Sequence, residues 1–481
     1  MAAPSPALLD SLAALLGPKG FTRDCDAMTP WLTDWRGRFH GRAAALIAPA
    51  TREEVAQAVR LCASGGVPLV PQGGNTSMVG GATPDASGHA LILSLRRMNR
   101  IRSLDPEANL AVCEAGVVLA NLHEAAQAAG RRFPLSLAAK GSATVGGLVS
   151  TNAGGTQVLR FGNMRRLVQG IEAVLPDGSL FDGLTALRKD NRGYDLTQLM
   201  IGAEGTLGIV TAASLKLVPA IGSRVVAWVG LATPVAALAL LRQLEDRMGG
   251  AVESFELVPQ GALDLVLAHI PGTRPPLARR HEWHALVEAA APVGAPSPEP
   301  ALVEALGAGE LVEDAVIAAS EAQADAFWRL RESIAEAEKQ DGPAVKHDIS
   351  VAVPDMPGFL VEAAAAVERD FPGVRVNAFG HLGDGNIHFN VRAPAGTDAG
   401  WIEGAGAEVS HRVYDLVTAA GGSISAEHGI GQMKLGEFAR LGGAARLAAL
   451  RAIKGALDPA GIMNPGKLVP PPPLAENRRL S

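Results

Sequence analysis

Cysteine is scarce in this 481-residue chain. Cys25, Cys62 and Cys113 are odd in number, far apart and form no CxxC pair. They suggest no disulfide framework, and a reducing cytoplasm is the expected compartment. Aromatic residues make up only 4% of the chain while alanine is abundant, so aliphatic cores and alanine-rich helices are expected. There is no long run of one charge sign and the net charge is −6, which argues against a nucleic-acid binder and against a polybasic membrane patch. The first residues, MAAPSPALLDSL, lack a basic stretch and carry Asp10 early, unlike a secretory signal. Val225–Leu241 is free of charge and close to membrane-spanning length. Gly230, Thr233 and Pro234 divide it, so a buried strand, a turn and a helix are expected in place of a spanning helix. No GxGxxG fingerprint follows the first strand, which removes the usual sign of a Rossmann dinucleotide fold.

What is present is a chain long enough for two or three domains, with a 48% apolar content ample for packed cores. Residues 51–54 form a capping-box pattern that starts a helix stopped at Gly65-Gly66. Short strands are expected at 67–70, 90–95 and 110–116, a helix at 119–129, and a hairpin at 171–182 turning at Asp177-Gly178. Residues 201–218 close this half with another strand. After about residue 220 the segments lengthen. A helix is expected at 321–339, a strand at 344–353, helices at 356–370 and 401–420, and a last helical segment at 436–456. The end, PPPPLAENRRLS, reads as a disordered or surface-draped tail. The fold class is α+β, with glycine concentrated in loops.

Two glycine-dense stretches stand out. Pro71, Gln72, Gly73, Gly74, Asn75, Thr76 and Ser77 offer consecutive backbone N–H groups and two hydroxyls, a composition that can form an anion-binding nest or simply a turn-dense loop. Residues 139–155, AKGSATVGGLVSTNAGG, crowd Gly141, Gly146, Gly147, Gly154 and Gly155 among Ser142, Thr144 and Asn152. So many glycines suggest close backbone approach to a large planar ligand.

A third stretch is HLGDGNIHFN, residues 381–390. Ile387, Phe389 and Val391 alternate with Asn386, His388 and Asn390, the period of a strand, so His388 and Asn390 share a face. The Gly383-Asp384-Gly385 turn can fold His381 back beside His388. Such a pair is half of a metal site, or the polar face of a solvated hairpin. SAEHGIG, residues 425–431, tilts the choice. Its adjacent Glu427 and His428 point to different sides of an extended segment. Glu427 can complete a two-histidine, one-carboxylate set with His381 and His388, with open positions for a divalent ion. Zinc is the first choice, with manganese or another divalent ion fitting the same ligands. His428 is then left to face a substrate as a general base, with Asn390 on the same face as His388.

PQGGNTS, KGSATVGGLVSTNAGG, IGAEGTLGIVT, HLGDGNIHFN and AEHGIG, taken in order, resemble the FAD-linked D-2-hydroxyacid dehydrogenases of the vanillyl-alcohol-oxidase flavoprotein family, over roughly residues 40–469. The resemblance implies a two-subdomain FAD-binding domain over 1–219, divided near residue 100. It implies an α+β substrate (cap) domain over 220–420, a C-terminal segment over 421–469 returning to the FAD domain, and a tail from 470. It implies that Pro71, Gly73, Gly74, Asn75, Thr76 and Ser77 hold the FAD pyrophosphate. Ser142, Thr144, Gly147, Asn152 and Gly155 would line the flavin, with Glu204, Gly208 and Ile209 near the adenosine end and Asn464 near the isoalloxazine. No histidine occurs in 71–84 or 137–155, so non-covalent FAD is expected.

For the substrate, Arg331 and Lys346 could be ordinary solvated cations. RLRESIAEA followed by VKHDIS resembles the D-2-hydroxyglutarate dehydrogenases, in which the matching residues bind substrate carboxylates. This implies oxidation of D-2-hydroxyglutarate to 2-oxoglutarate, with D-lactate or D-malate as alternatives. One departure weakens the choice: Ala335 stands where a threonine is expected. A flavin-free metal-binding protein or hydrolase is a distant alternative. An electron-transfer flavoprotein or a quinone is the expected electron acceptor, and a homodimer is compatible with the reading.

Overall fold

The computed structural model describes residues 3–472. Strands Phe21–Thr22, Ala45–Ile47, Leu91–Ser94 and Leu69–Gln72 lie side by side in that order, parallel except for the first pair. Helices Pro6–Gly20 and Arg52–Gly65 cover this small sheet through Leu9, Leu12, Leu16, Val55, Val59 and Cys62. The capping pattern at 51–54 works as expected. Thr51 accepts from the Glu54 N–H at 3.1 Å, and Gly66 ends the helix in the left-handed region at φ 61°.

A second sheet, wholly antiparallel, runs Ile101–Asp105, Leu110–Glu114, Ile209–Lys216, Val168–Val174, Leu180–Asp182. Its last hairpin turns at Asp177-Gly178, where Gly178 has φ 79°. From Ile221 a seven-stranded antiparallel sheet takes over. Its order is Asp314–Ile317, Ile221–Leu231, Trp283–Pro292, Val252–Pro259, Arg375–His381, Asn386–Arg392, Ala344–Ser350. The charge-free stretch resolves into the strand Ile221–Leu231 and the helix Pro234–Met248, whose first turn is capped by Thr233. Among the described residues, no helix is long and apolar enough to cross a membrane.

The two faces of the large sheet differ. Val345, Ile349, Ile387, Phe389 and Val391 bury one face under helices Met356–Asp370 and Ala405–Ala419. The other face carries a core of Trp228, Leu286, Phe327, Leu330 and Phe379 under helices Gln260–His269 and Glu321–Glu332. Beyond that core the same face is polar, and the site lies there.

Several expected elements are divided. The helix expected over 321–339 ends at Glu332, restarts for one turn at Ile334–Ala337 and tightens to a 3-10 turn at Glu338–Asp341. The segment expected over 436–456 breaks at Gly442-Gly443, where Gly443 takes φ 71°. The strand expected to reach residue 353 stops at Ser350. The stretch read as glycine loop over 139–155 contains the helix Val145–Thr151. Of the expected tail, Pro470 and Pro471 give their carbonyls to Arg451 at 2.9 Å each, and residues 473–481 lie outside the described residues.

Candidate active site

The hairpin forms as its alternation requires. Arg375–His381 pairs antiparallel with Asn386–Arg392, which pairs with Ala344–Ser350. Lateral rows follow from the register. His381 lies beside Asn386, Phe379 beside His388 and Asp348, and Asn377 beside Asn390 and Lys346. The imidazoles of His381 and His388 stack edge-on with centroids 5.5 Å apart. Candidate ligand atoms of His381, His388 and Glu427 all lie within 4.8 Å of one another. The three residues expected to hold a metal are therefore brought together.

Asp348 builds the other wall. Its Oδ2 accepts the backbone N–H groups of both Glu427 and His428 at 2.9 Å, and its Oδ1 accepts from Asn386 at 2.9 Å. This fixes the 427–428 segment and aims the two side chains apart. Asp348, Glu427 and His428 form a second close donor group. The oxygens of Asp348 already accept three N–H donors, so the histidine pair with Glu427 is the better cation site.

The donor chemistry fits a divalent ion. Glu256, Asp348, Asp384 and Glu427 crowd carboxylates into a buried space. Burial, aided by Asp348, Asp384 and Glu256 and opposed by His381, pushes the Glu427 carboxyl up to about 7. Burial keeps His388 well below the usual imidazole range, leaving it a neutral ligand. His381 moves the other way, up to about 9. Burial would lower it, but Glu256, Glu427 and Asp384 together outweigh that. Its Nδ1 lies 3.0 Å from Glu256 Oε1, yet off the line of a hydrogen bond, and neither atom has another partner. Buried, unaligned polar atoms beside a histidine pair fit a ring that turns to take a cation. His428 is half-buried, and burial lowers its pKa despite Asp348 at 3.5 Å, so it is a neutral base near pH 7.

The centre abuts the N-terminal half. A Cβ placed on Gly154 would lie 3.3 Å from Glu427 Oε1, and one on Gly429 would lie 2.6 Å from Glu204 Oε1. Glu204 accepts the Ile430 and Gly431 N–H groups at 2.8 Å each, so it clamps the 427–431 segment. The resemblance implied adenosine contact for this residue, and the clamp uses both its carboxylate oxygens. Ile209 is buried in the core, and a Cβ on Gly208 would meet the Val174 carbonyl at 2.8 Å. Asn464 arrives from the C-terminus and donates to the carbonyls of Gly81 at 2.9 Å and Glu204 at 2.7 Å.

The two glycine stretches pack on each other. A Cβ on Gly74 would meet the Ser142 carbonyl at 1.9 Å, and one on Gly73 would meet Thr144 Oγ1 at 2.4 Å. The backbone N–H groups of residues 73–77 make no hydrogen bond among the described residues, and Thr144 Oγ1 is buried without a partner. Unpaired donors beside an orphaned hydroxyl fit a pyrophosphate. Asn75 is itself tied to the carbonyls of Pro30 and Thr33. Part of the glycine content serves the chain's own packing. Gly155 passes the Ser136 carbonyl where a Cβ would clash at 2.0 Å, and Gly146 lies against Ala115. Asn152 caps the helix at φ 51° and accepts from the Arg165 N–H at 2.8 Å. Gly147 sits in the first turn of that helix, beside Gly73.

The expected substrate cations are not free. Arg331 donates to Glu256 at 2.6 Å and lies over the Phe379 ring. Lys346 donates to Glu338 at 2.8 Å and to the Ala335 carbonyl at 3.3 Å. Asn390 donates to the same Glu338 at 2.8 Å. Sequence reasoning missed Asp348, Glu256 and Glu338. Asp348 and Glu256 stand on the polar phase of their strands, but nothing local distinguishes them from solvated carboxylates. It also missed Arg36, which acts electrostatically on Asp348 and His428 and has no ion-pair partner among the described residues.

Fold and site together define a flavin-linked oxidoreductase. Residues 43–183 match the family "FAD binding domain", and residues 222–468 match "FAD linked oxidases, C-terminal domain". The chain is 37% identical over 461 residues to a mitochondrial D-2-hydroxyglutarate dehydrogenase of Arabidopsis thaliana, covering 95% of this chain and 80% of that one. It is 38% identical over 439 residues to a D-2-hydroxyglutarate dehydrogenase of Xanthomonas citri, covering 90% and 91%. In fold it is similar to 4-ethylphenol oxidase from Gulosibacter chungangensis, with TM-score 0.70, 18% identity and 98% and 99% of the chains covered. It is likewise similar to p-cresol methylhydroxylase, with TM-score 0.67, 15% identity and 96% of each chain covered. The chain belongs to the FAD-linked D-2-hydroxyacid dehydrogenases of the vanillyl-alcohol-oxidase family. It is an FAD-dependent oxidoreductase acting on a 2-hydroxyacid.

Proposed function

We propose that this chain oxidises a D-2-hydroxyacid to the 2-oxoacid with the help of a divalent cation, zinc being the first candidate. The observation that carries this reading is the convergence of His381, His388 and Glu427 beside His428, against the segment 139–155. When bound, FAD accepts the two electrons lost by the substrate, and the cation supplies positive charge for its carboxylate and hydroxyl oxygens. His381, His388 and Glu427 would hold the cation, and the 71–77 and 139–155 loops would hold FAD without a covalent bond. His428 takes the hydroxyl proton, its neutral form secured by burial. Asp348 keeps His428 and Glu427 on opposite sides of that hydroxyl through its two backbone hydrogen bonds. Packing of the 427–431 segment on Glu204 and Val79 holds His428 and Glu427 in place.

The names of the relatives support D-2-hydroxyglutarate as the acid, giving 2-oxoglutarate. A second reading, an acid with an uncharged side chain such as D-lactate, is favoured by the pairing of both Arg331 and Lys346 with buried carboxylates. D-malate, also a dicarboxylate, stands with the first reading. Electrons would leave to an electron-transfer flavoprotein or a quinone. The three free cysteines support a reducing compartment such as the cytoplasm, although several relatives carry "mitochondrial" in their names. The test is anaerobic reduction of the purified flavoprotein by a panel of D- and L-2-hydroxyacids. Bleaching by the D series supports the reading, and bleaching by the L series alone, or by none, removes it.

A further inference from the structure

The polar face of the hairpin holds one carboxylate that the reaction does not need. Glu338 is 1% exposed. It begins the 3-10 turn that follows Ile334–Ala337, and the break in the expected helix turns its side chain down onto the sheet. There it takes three donors from one lateral row: Asn377 at 2.6 Å, Asn390 at 2.8 Å and Lys346 at 2.8 Å. That row is the neighbour of the row containing His388, one strand repeat or about 7 Å along the same face. A substrate held through its carboxylate and hydroxyl beside His388 and His428 would extend its side chain toward Asn390 and Lys346.

The other cation near this path is also spoken for. Arg331 is 11% exposed in its side chain and paired with Glu256, which is fully buried. Two cations thus face two buried carboxylates, and a third buried cation that feels Glu338, Arg392, pairs with Asp341, so the formal charges at this end of the site balance. A second substrate carboxylate arriving here would meet Glu338 as a like charge competing for one ammonium. Ala335 supplies no hydroxyl to help it, and its carbonyl already accepts from Lys346.

We infer that Glu338 is a specificity-determining residue, a carboxylate of the protein standing where the distal carboxylate of a dicarboxylic 2-hydroxyacid would be bound. The site therefore takes D-2-hydroxyacids with an uncharged side chain in preference to D-2-hydroxyglutarate. This rests on the reading of the site as a 2-hydroxyacid dehydrogenase and names the substrate class within it.

The test compares kcat/KM for D-2-hydroxyglutarate and D-2-hydroxybutyrate in the flavin-loaded enzyme, with an artificial electron acceptor. The wild type should favour D-2-hydroxybutyrate. Glu338→Gln keeps the shape and removes the charge. It should raise the D-2-hydroxyglutarate to D-2-hydroxybutyrate ratio by about tenfold or more, through KM. In the double variant Glu338→Gln with Lys346→Gln that gain should vanish, because it depends on the unmasked ammonium. A wild type that favours D-2-hydroxyglutarate overturns the inference and leaves the dehydrogenase reading standing, as does a ratio that Glu338→Gln leaves unchanged. If neither acid reduces the flavin, the dehydrogenase reading itself fails. Should Glu338→Gln not retain flavin, the wild-type preference alone decides.

Discussion

Asp348 and His428 are joined twice. The carboxylate accepts the backbone N–H of His428 at 2.9 Å, and the same oxygen lies 3.5 Å from the ring Nδ1. That oxygen also accepts the Glu427 N–H, so one side chain places both the proposed base and a proposed metal ligand. Asp348→Asn retains the volume but replaces an acceptor by an NH2 group. It should lower kcat and metal affinity by about 10–100-fold while the far-ultraviolet circular dichroism stays unchanged. An undiminished kcat would remove Asp348 from the machinery.

Glu256 lies behind His381 as Asp348 lies behind His428, and it also neutralises Arg331. Glu256→Gln leaves a buried guanidinium without its counter-charge. Unfolding titrations should show a loss of about 3–5 kcal/mol, together with weaker metal retention. Loss of stability alone, with metal content unchanged, would show that Glu256 serves only Arg331.

A third buried carboxylate couples the two halves of the chain. Glu253, on the strand Val252–Pro259, accepts from Arg132 at 2.8 Å and also pairs with Arg160, both within the match to the FAD binding domain. Ser254 adds a bond to the Thr156 carbonyl at 2.7 Å. Glu253→Ala strands two arginines at the junction and should cost about 3–5 kcal/mol. Limited proteolysis should then separate the two halves at lower denaturant concentration than in the wild type.

Stability should also fall at mildly acid pH through His284. Its Nδ1 accepts from the Trp228 indole at 3.1 Å while its Nε2 faces Gln260 Oε1 at 2.9 Å. Burial first, then His281, lowers its pKa from 6.5 to about 4. Between those values the unfolded chain binds a proton that the folded chain does not, so stability is full above pH 6.5 and declines as pH falls toward 4. The size is on the order of 3 kcal/mol. Comparing wild type with His284→Gln by denaturant unfolding at pH 7.5 and pH 5 checks this. An equal loss in both proteins would assign the effect elsewhere.

How much of this was legible in the sequence depends on the range of the interaction. The hairpin 375–392 was readable because period-two alternation is local and strong. The division of 225–241 was readable because Pro234 and Thr233 mark a helix start. The metal trio was readable from residue type, although nothing local shows that 427 returns to 388. The break at Ser333 was not readable, because the 321–339 segment keeps helical periodicity through it. Missing that break hid Glu338, whose descent onto the sheet depends on it. Arg331 and Lys346 were identified as cations near substrate, but their partners lie 75 and 8 residues away in sequence, on other elements. Charge compensation across a fold is a tertiary property, and composition does not report it.

The central claim is that a divalent cation held by His381, His388 and Glu427 is needed for hydroxyacid oxidation. The direct measurement is anaerobic flavin reduction by a D-2-hydroxyacid, with metal content determined on the same samples of wild type, chelator-treated wild type and His388→Ala. The account predicts one divalent ion per chain in the wild type. Flavin reduction should be lost on chelation and restored by added zinc or manganese, and should be absent in His388→Ala even though FAD stays bound. Metal-free protein that reduces its flavin at the wild-type rate would contradict it.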